Sequence, residues 1–115
     1  MRFEDWKTLY DDSTYGHLRY RVFAGMVFVC GNVSGITGSW SLHIPSKYCP
    51  KFATWFPATL STVGGSPSNN TASIWLAEYS AKETADENLW IYNNGPNGAK
   101  DFINFHVCYP YCWFQ

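Results

Sequence analysis

HLRYRVFAGMVFVCGNV, residues His17 to Val33, decides the fold. It reads as two strands that meet at Ala24-Gly25. Residues 17–23 mix aromatic, β-branched and basic side chains. Residues 26–33 crowd Met26, Val27, Phe28, Val29, Cys30 and Val33 into one short run. Such runs suit a pleated, half-buried surface better than a helix. Gly25 supplies the tight turn, where a positive φ is often needed. Tyr20, Val27, Val29 and Val33 are the expected core side. Gly31 marks a close approach or a bulge.

Outward from this hairpin the chain keeps the same grammar. Residues 1–16 form a lead-in segment whose Trp6 packs on the domain or on a neighbouring subunit. Residues 34–41, SGITGSWS, read as a polar Gly/Ser loop carrying Trp40. Leu42-His43-Ile44 is a short apolar piece closed by Pro45. Residues 54–63 form a strand in which Pro57 implies an edge, a bulge or a strand start. Gly64 to Asn70 is a turn cluster. Ala72 to Tyr79 is a strand with Ile74 and Leu76 on one face and Trp75 on the other. Ser80 to Glu87 lacks an apolar face and reads as a polar loop. In Asn88 to Tyr92, Leu89 and Ile91 oppose Trp90 and Tyr92. After a turn over residues 93–98, Ile103, Phe105 and Val107 oppose Phe102, Asn104 and His106. No stretch has helical periodicity of useful length. The expectation is one all-β domain over residues 1–115, a small antiparallel β-sandwich or barrel of about six to eight short strands.

A chain of 115 residues buries about two-thirds of its unfolded surface, so folding needs neither metal nor disulfide. The net charge of −1 offers no attraction to nucleic acid or to an anionic membrane. No apolar run approaches the length of a membrane span, and no secretory signal follows Met1. Without secretion, the Asn-x-Ser/Thr triplets at Asn32 and Asn69 carry no meaning. Aromatic residues, at 19%, outnumber charged ones, at 15%. That balance suits uncharged, ring-shaped ligands or apolar subunit contacts. Cys30, Cys49, Cys108 and Cys112 are expected as reduced thiols, with Cys30 a small core residue. Cys108-x-x-x-Cys112 with His106 has no recognised zinc spacing, so no metal is expected.

Catalytic signatures are missing from the sequence. There is no nucleophile elbow, phosphate loop, zinc-protease motif or dinucleotide fingerprint, and no cofactor is expected. His17, His43 and His106 sit in separate segments. His106 and Cys108 share a strand face, but so do any residues two apart. Asp11-Asp12 and Asp86-Glu87 are adjacent carboxylates in polar loops. A glycosidase needs two such groups about 5–10 Å apart across a groove, and solvated turn residues are the simpler reading. Trp75, Trp90 and Tyr92 lie opposite the expected core. They either stack on the apolar face of a sugar or pack against another sheet or subunit. Trp40, in its loop, is open to both roles.

The order of elements carries a resemblance. Trp6-x-x-Leu9 precedes a turn, followed by Tyr20-Arg21 and Gly25-x-Val27-x-Val29-x-Gly31-x-Val33. Then come Ile44-Pro45, Tyr48-x-Pro50-x-Phe52, Trp55-Phe56-Pro57-Ala58 and a last strand running into Tyr109. Over residues 6–109 this resembles the C-terminal domains of tailed-bacteriophage tail fibres, baseplate proteins and receptor-binding proteins. The resemblance implies a small β-sandwich or barrel, commonly a homotrimer at the tip of a tail appendage. It implies attachment to host-surface polysaccharide or teichoic acid, usually without catalysis. It places the protein in the virion beside other tail or baseplate proteins, made in the bacterial cytoplasm. Tyr20, Gly25, Val27, Val29, Gly31, Pro45, Tyr48 and Pro50 match as scaffold. Cys49 and the tail YPYCWFQ depart from the pattern, which leaves terminal packing and redox state open.

The expected function is therefore non-enzymatic attachment to a cell-surface saccharide. Stacking would come from some of Trp40, Trp75, Trp90 and Tyr92. Hydrogen bonds would come from Asp86, Glu87, Asn93 and Asn94. A purely structural oligomerisation domain and a small glycan hydrolase using Asp86 or Glu87 are the alternatives.

Overall fold

The hairpin is formed as its sequence implies. Gly16–Phe23 and Met26–Val33 pair antiparallel, in an unbroken register that places Val22 opposite Val27 and Tyr20 opposite Val29. The two turn residues, Ala24 and Gly25, both have positive φ, 53° and 79°, the backbone demanded by a tight two-residue hairpin. The computed structural model describes residues 5–62, 67–80, 82–83, 86–95 and 98–111. The first residues of the 64–70 turn cluster, parts of the 80–87 and 93–98 loops, and the end of the aromatic tail with Cys112 lie outside the described residues.

In chain order the strands are β1 Lys7–Asp12, β2 Gly16–Phe23, β3 Met26–Val33, β4 Gly38–Leu42, β5 Thr54–Ser61, β6 Pro67–Leu76, β7 Leu89–Asn93 and β8 Phe102–Pro110. They form one antiparallel sheet in the order β1-β2-β3-β8-β5-β6-β7-β4. The sheet curls into a half-barrel, so the all-β expectation holds. Its concave face is built by period-two alternation. Leu18, Tyr20, Val22, Val27, Val29, Ile74, Leu76, Leu89, Ile91, Ile103, Phe105 and Val107 all point inward and are buried. Each such side chain contributes about 1.5–3 kcal/mol relative to exposure. Tyr48 packs against Tyr20 and Tyr111 at one end of this core, with ring centroids 6.1 and 5.3 Å apart. The Tyr109 hydroxyl donates to the Tyr48 carbonyl at 2.7 Å.

Several local expectations are corrected. The lead-in segment contains a strand. Lys7–Asp12 forms an edge against β2, and the register shifts between Thr8 and Tyr10. That bulge breaks the alternation that would have revealed it. Trp6 lies under the Arg21 guanidinium of the same chain, 5.6 Å from ring centroid to Cζ. Trp40 is in a strand rather than a loop, because Gly38–Leu42 pairs residue for residue with β7. β6 begins at Pro67, inside the expected turn, because Ser61 at the end of β5 pairs with it. It stops at Leu76, short of Tyr79. Cys30 is not a core residue. It sits half-buried on the convex face opposite His106, while Cys49 is the fully buried thiol. Burial pushes the Cys49 pKa up to about 12. Pro57 is tolerated because β8 pairs with β5 only from Thr59 onward, so at Pro57 the strand has β6 as its one ladder neighbour.

Candidate functional site

The convex face of β5, β6 and β7 carries a stripe of aromatic rings. Trp55 is the register partner of Trp75, and Trp75 is the register partner of Trp90. Directly opposed side chains on one face of a sheet are in contact range. The Trp90 and Tyr92 rings stack with centroids 6.5 Å apart and planes 20° apart. Tyr92 in turn meets Trp55 at 5.5 Å. Trp75, Trp90 and Tyr92 are half-buried by one another, while Trp55 is 58% exposed. The next positions on this face are Ser41 beside Trp90 and Ser39 and Ser73 beside Tyr92. The stripe is thus an apolar aromatic patch bordered by hydroxyls. Such a surface can take the C–H face of a ring while hydroxyls bond its edge.

The structure brings Trp75, Trp90 and Tyr92 together, as alternation implies, and adds Trp55. Sequence reading passed over Trp55, although Phe56, Ala58 and Leu60 alternate inward and leave residue 55 outward. Trp40 belongs elsewhere. It pairs with Ile91, on the concave side, and its ring meets Tyr10 edge-on at 4.7 Å and 78°. Tyr10 is on β1 and Trp40 on β4, the two edge strands, so this pair spans the open seam of the half-barrel.

The polar candidates separate by role. Asp86 and Glu87 are exposed before β7, and Asn94 is exposed after it, so they flank opposite ends of the strand that carries Trp90 and Tyr92. Asn93 is buried and turned to the fold itself. Its Nδ2 donates to the Ile36 and Gly98 carbonyls, both at 2.9 Å, and its Oδ1 accepts from the Gly95 amide at 3.0 Å. Asp12 is a turn residue, accepting from the Thr14 and Tyr15 amides at 2.8 and 2.9 Å. Asp11 pairs with His17 on the neighbouring strand. The Asp11-Asp12 pair therefore shares no groove.

Sequence reading missed a latch beside the stripe's end. His43 Nδ1 stands 2.6 Å from the Asp86 carbonyl and Nε2 stands 2.6 Å from Glu83 Oε1. Glu83 Oε2 accepts from the Ser46 amide at 2.9 Å. Two acceptors on one ring are both satisfied only by the doubly protonated imidazolium. The Asp86 carbonyl first, and then the Glu83 and Asp86 charges, hold the His43 pKa above its ordinary 6.5, against partial burial. The Ser46 amide and His43 hold Glu83 below its ordinary 4.5. The stabilisation from His43 is complete below 6.5 and is lost as pH rises through its raised pKa. That from Glu83 is present above 4.5 and is lost as pH falls through its lowered pKa. The latch is therefore closed between these limits and opens on the alkaline side at the raised His43 pKa. In an NMR titration, His43 should titrate above 6.5, and Glu83→Gln should lower its pKa part of the way, since the Asp86 carbonyl remains. An unchanged His43 pKa in that variant would contradict the latch.

Among the described residues, no group of three or more His, Cys, Asp or Glu side chains is placed to hold a metal. Comparison with family models, curated proteins and solved structures finds no match to this chain.

Proposed function

We propose that this domain is a non-enzymatic saccharide-binding module that attaches to a bacterial cell surface at the tip of a phage tail. The observation that carries the saccharide reading is the aromatic stripe Trp55-Trp75-Trp90-Tyr92, bordered by serines and half open to solvent. The resemblance of residues 6–109 to tail-fibre and baseplate domains supports the setting. That setting is the virion, with other tail or baseplate proteins as neighbours and a homotrimer as the assembly. A single platform of this kind binds weakly. Three copies per tip, repeated over several tips, raise avidity through effective concentration.

Pull-down of the purified protein on host cell-wall polysaccharide tests this. Trp90→Ala and Trp55→Ala should each weaken binding about tenfold or more, the effect of losing a buried aromatic anchor. Retention of full binding by both variants would sink the reading. If the variants instead change the mass seen by light scattering and leave polysaccharide binding intact, the stripe is a subunit contact and the domain is structural.

A further inference from the structure

The seam between the two edge strands holds a cleft of about 340 Å³. Its walls include the rings of Tyr10, Tyr15 and Trp40 and the hydroxyl side chains Ser34, Thr37 and Ser39. Among the described residues, none that lines it is charged. The geometry points to a site for a single neutral hexopyranose ring in this cleft, separate from the aromatic stripe on the convex face.

Four features support that assignment. The volume sits at the low end of small-molecule pockets, about 300–1,000 Å³, which is room for one ring. The lining pairs aromatic rings with hydroxyls, matching a ligand that has an apolar face and a polar rim. Its neutrality gives an anionic ligand no counter-charge. Tyr10 stays a neutral phenol, its pKa pushed up by burial first and then by Asp12 and Tyr15.

The walls are also held in advance. Asp12 accepts from the Thr14 and Tyr15 amides, and the Ser34 amide donates to the Tyr15 carbonyl at 2.8 Å. The Tyr15 ring lies so close over Gly35 that a Cβ there would stand 2.5 Å from Tyr15 Cδ1. Asn93 fastens the opposite wall through the Ile36 carbonyl. Asn93 therefore serves this site by positioning it. A site whose walls are already ordered loses less entropy on binding. Of the cleft's lining residues, Ser39 also borders the stripe beside Tyr92, so Tyr15, Ser34 and Thr37 are the residues that separate this assignment from the proposed function.

NMR titration of the ¹⁵N-labelled full chain decides it, with glucose, galactose, mannose and N-acetylglucosamine as probes. At least one sugar should shift the Trp40 indole N–H and the Ser34 and Thr37 amides saturably, with Kd on the order of 1 mM. Thr37→Val should weaken that binding about fivefold. Tyr15→Ala, at an exposed position, should weaken it similarly, while Trp55→Ala leaves it unchanged. Glucuronate should bind no more tightly than glucose. The assignment is overturned if none of the four sugars gives a saturable shift, or if the shifts map to Trp75, Trp90 and Tyr92. It is equally overturned if Thr37→Val and Tyr15→Ala both bind like the parent, or if glucuronate binds more tightly.

Discussion

Gly31→Ala should lower the stability of the domain by about 3–5 kcal/mol, a loss large enough to leave much of it unfolded at 25 °C. Gly31 lies in β3 opposite Leu18, with φ at +136°. A Cβ at this position would stand 2.1 Å from the His17 carbonyl oxygen and 3.1 Å from Leu18 Cα. Both are backbone atoms of the paired strand, so no side chain can move aside. Either β2 and β3 separate or the φ angle changes, and each costs ladder hydrogen bonds toward the open end of the hairpin. Gly38→Ala is the control. Gly38 also has positive φ, +76°, but nothing lies within 4 Å of its Cβ position. That substitution should cost only the backbone strain, about 1–2 kcal/mol. Urea unfolding measures both. A Gly31→Ala midpoint within error of the Gly38→Ala midpoint, at equal m, would show that the close approach carries no energy of its own.

Asn88→Ala should cost about 2–4 kcal/mol. Asn88 is buried, and its side-chain amide acts as a rung of the sheet. Nδ2 donates to the Ile44 carbonyl and Oδ1 accepts from the Ile44 amide, both at 2.8 Å. Its own backbone N–H donates to the Leu42 carbonyl at 3.1 Å. The β4–β7 ladder ends at Leu42 and Leu89, so the side chain extends it beyond the last backbone pair. Ile44 is fully buried, and alanine leaves both its donor and its acceptor without a partner, at about 1–3 kcal/mol each before relaxation. Asn88→Asp sharpens the test. A carboxylate can accept from the Ile44 amide but repels the Ile44 carbonyl, whereas a protonated carboxyl can bond both. Its folded pKa is therefore raised above the unfolded value, so its stabilisation is present in acid and lost as pH rises through that pKa. Thermal melts of Asn88→Asp should show a stability deficit that grows from pH 4 to pH 7, on the order of 1–2 kcal/mol. A deficit independent of pH would refute the two-sided hydrogen bond.

These two residues show what is legible in the sequence and what is not. Gly31 stands out because a glycine inside an apolar strand run implies a close backbone approach. The inward and outward faces of β2, β3, β6, β7 and β8 follow from alternation, and so does the grouping of Trp75, Trp90 and Tyr92. Composition alone puts Cys30 in the core, although Val27 and Val29 pointing inward place residue 30 outward. GSWSL at 38–42 alternates as well, with Trp40 and Leu42 against Ser39 and Ser41, but its Gly/Ser content reads as loop. Asn88 reads only as the first residue of a strand, and Asn93 as a turn residue. Only the tertiary fold brings buried backbone groups to their amides. His43 and Glu83 are 40 residues apart, and Tyr10 meets Trp40 only because a curled sheet brings its first and last strands face to face. Curl is set by accumulated twist and bulges, which no single segment encodes.

The position of β8 has a kinetic consequence. β1, β2 and β3 form one antiparallel ribbon, and β5, β6, β7 and β4 form another. In the sheet they are joined through β8, which pairs with β3 on one side and β5 on the other. Residues 102–110 are made after all the strands they connect. During synthesis each ribbon therefore waits with an open edge and an uncovered apolar face, a state prone to pairing with other chains. Closure is governed by long-range contacts such as Val29 with Val107, which places folding in the millisecond-to-second range of non-local β topologies. Residues 102–110 act as a timer, because the molecule cannot commit to its native state until they arrive.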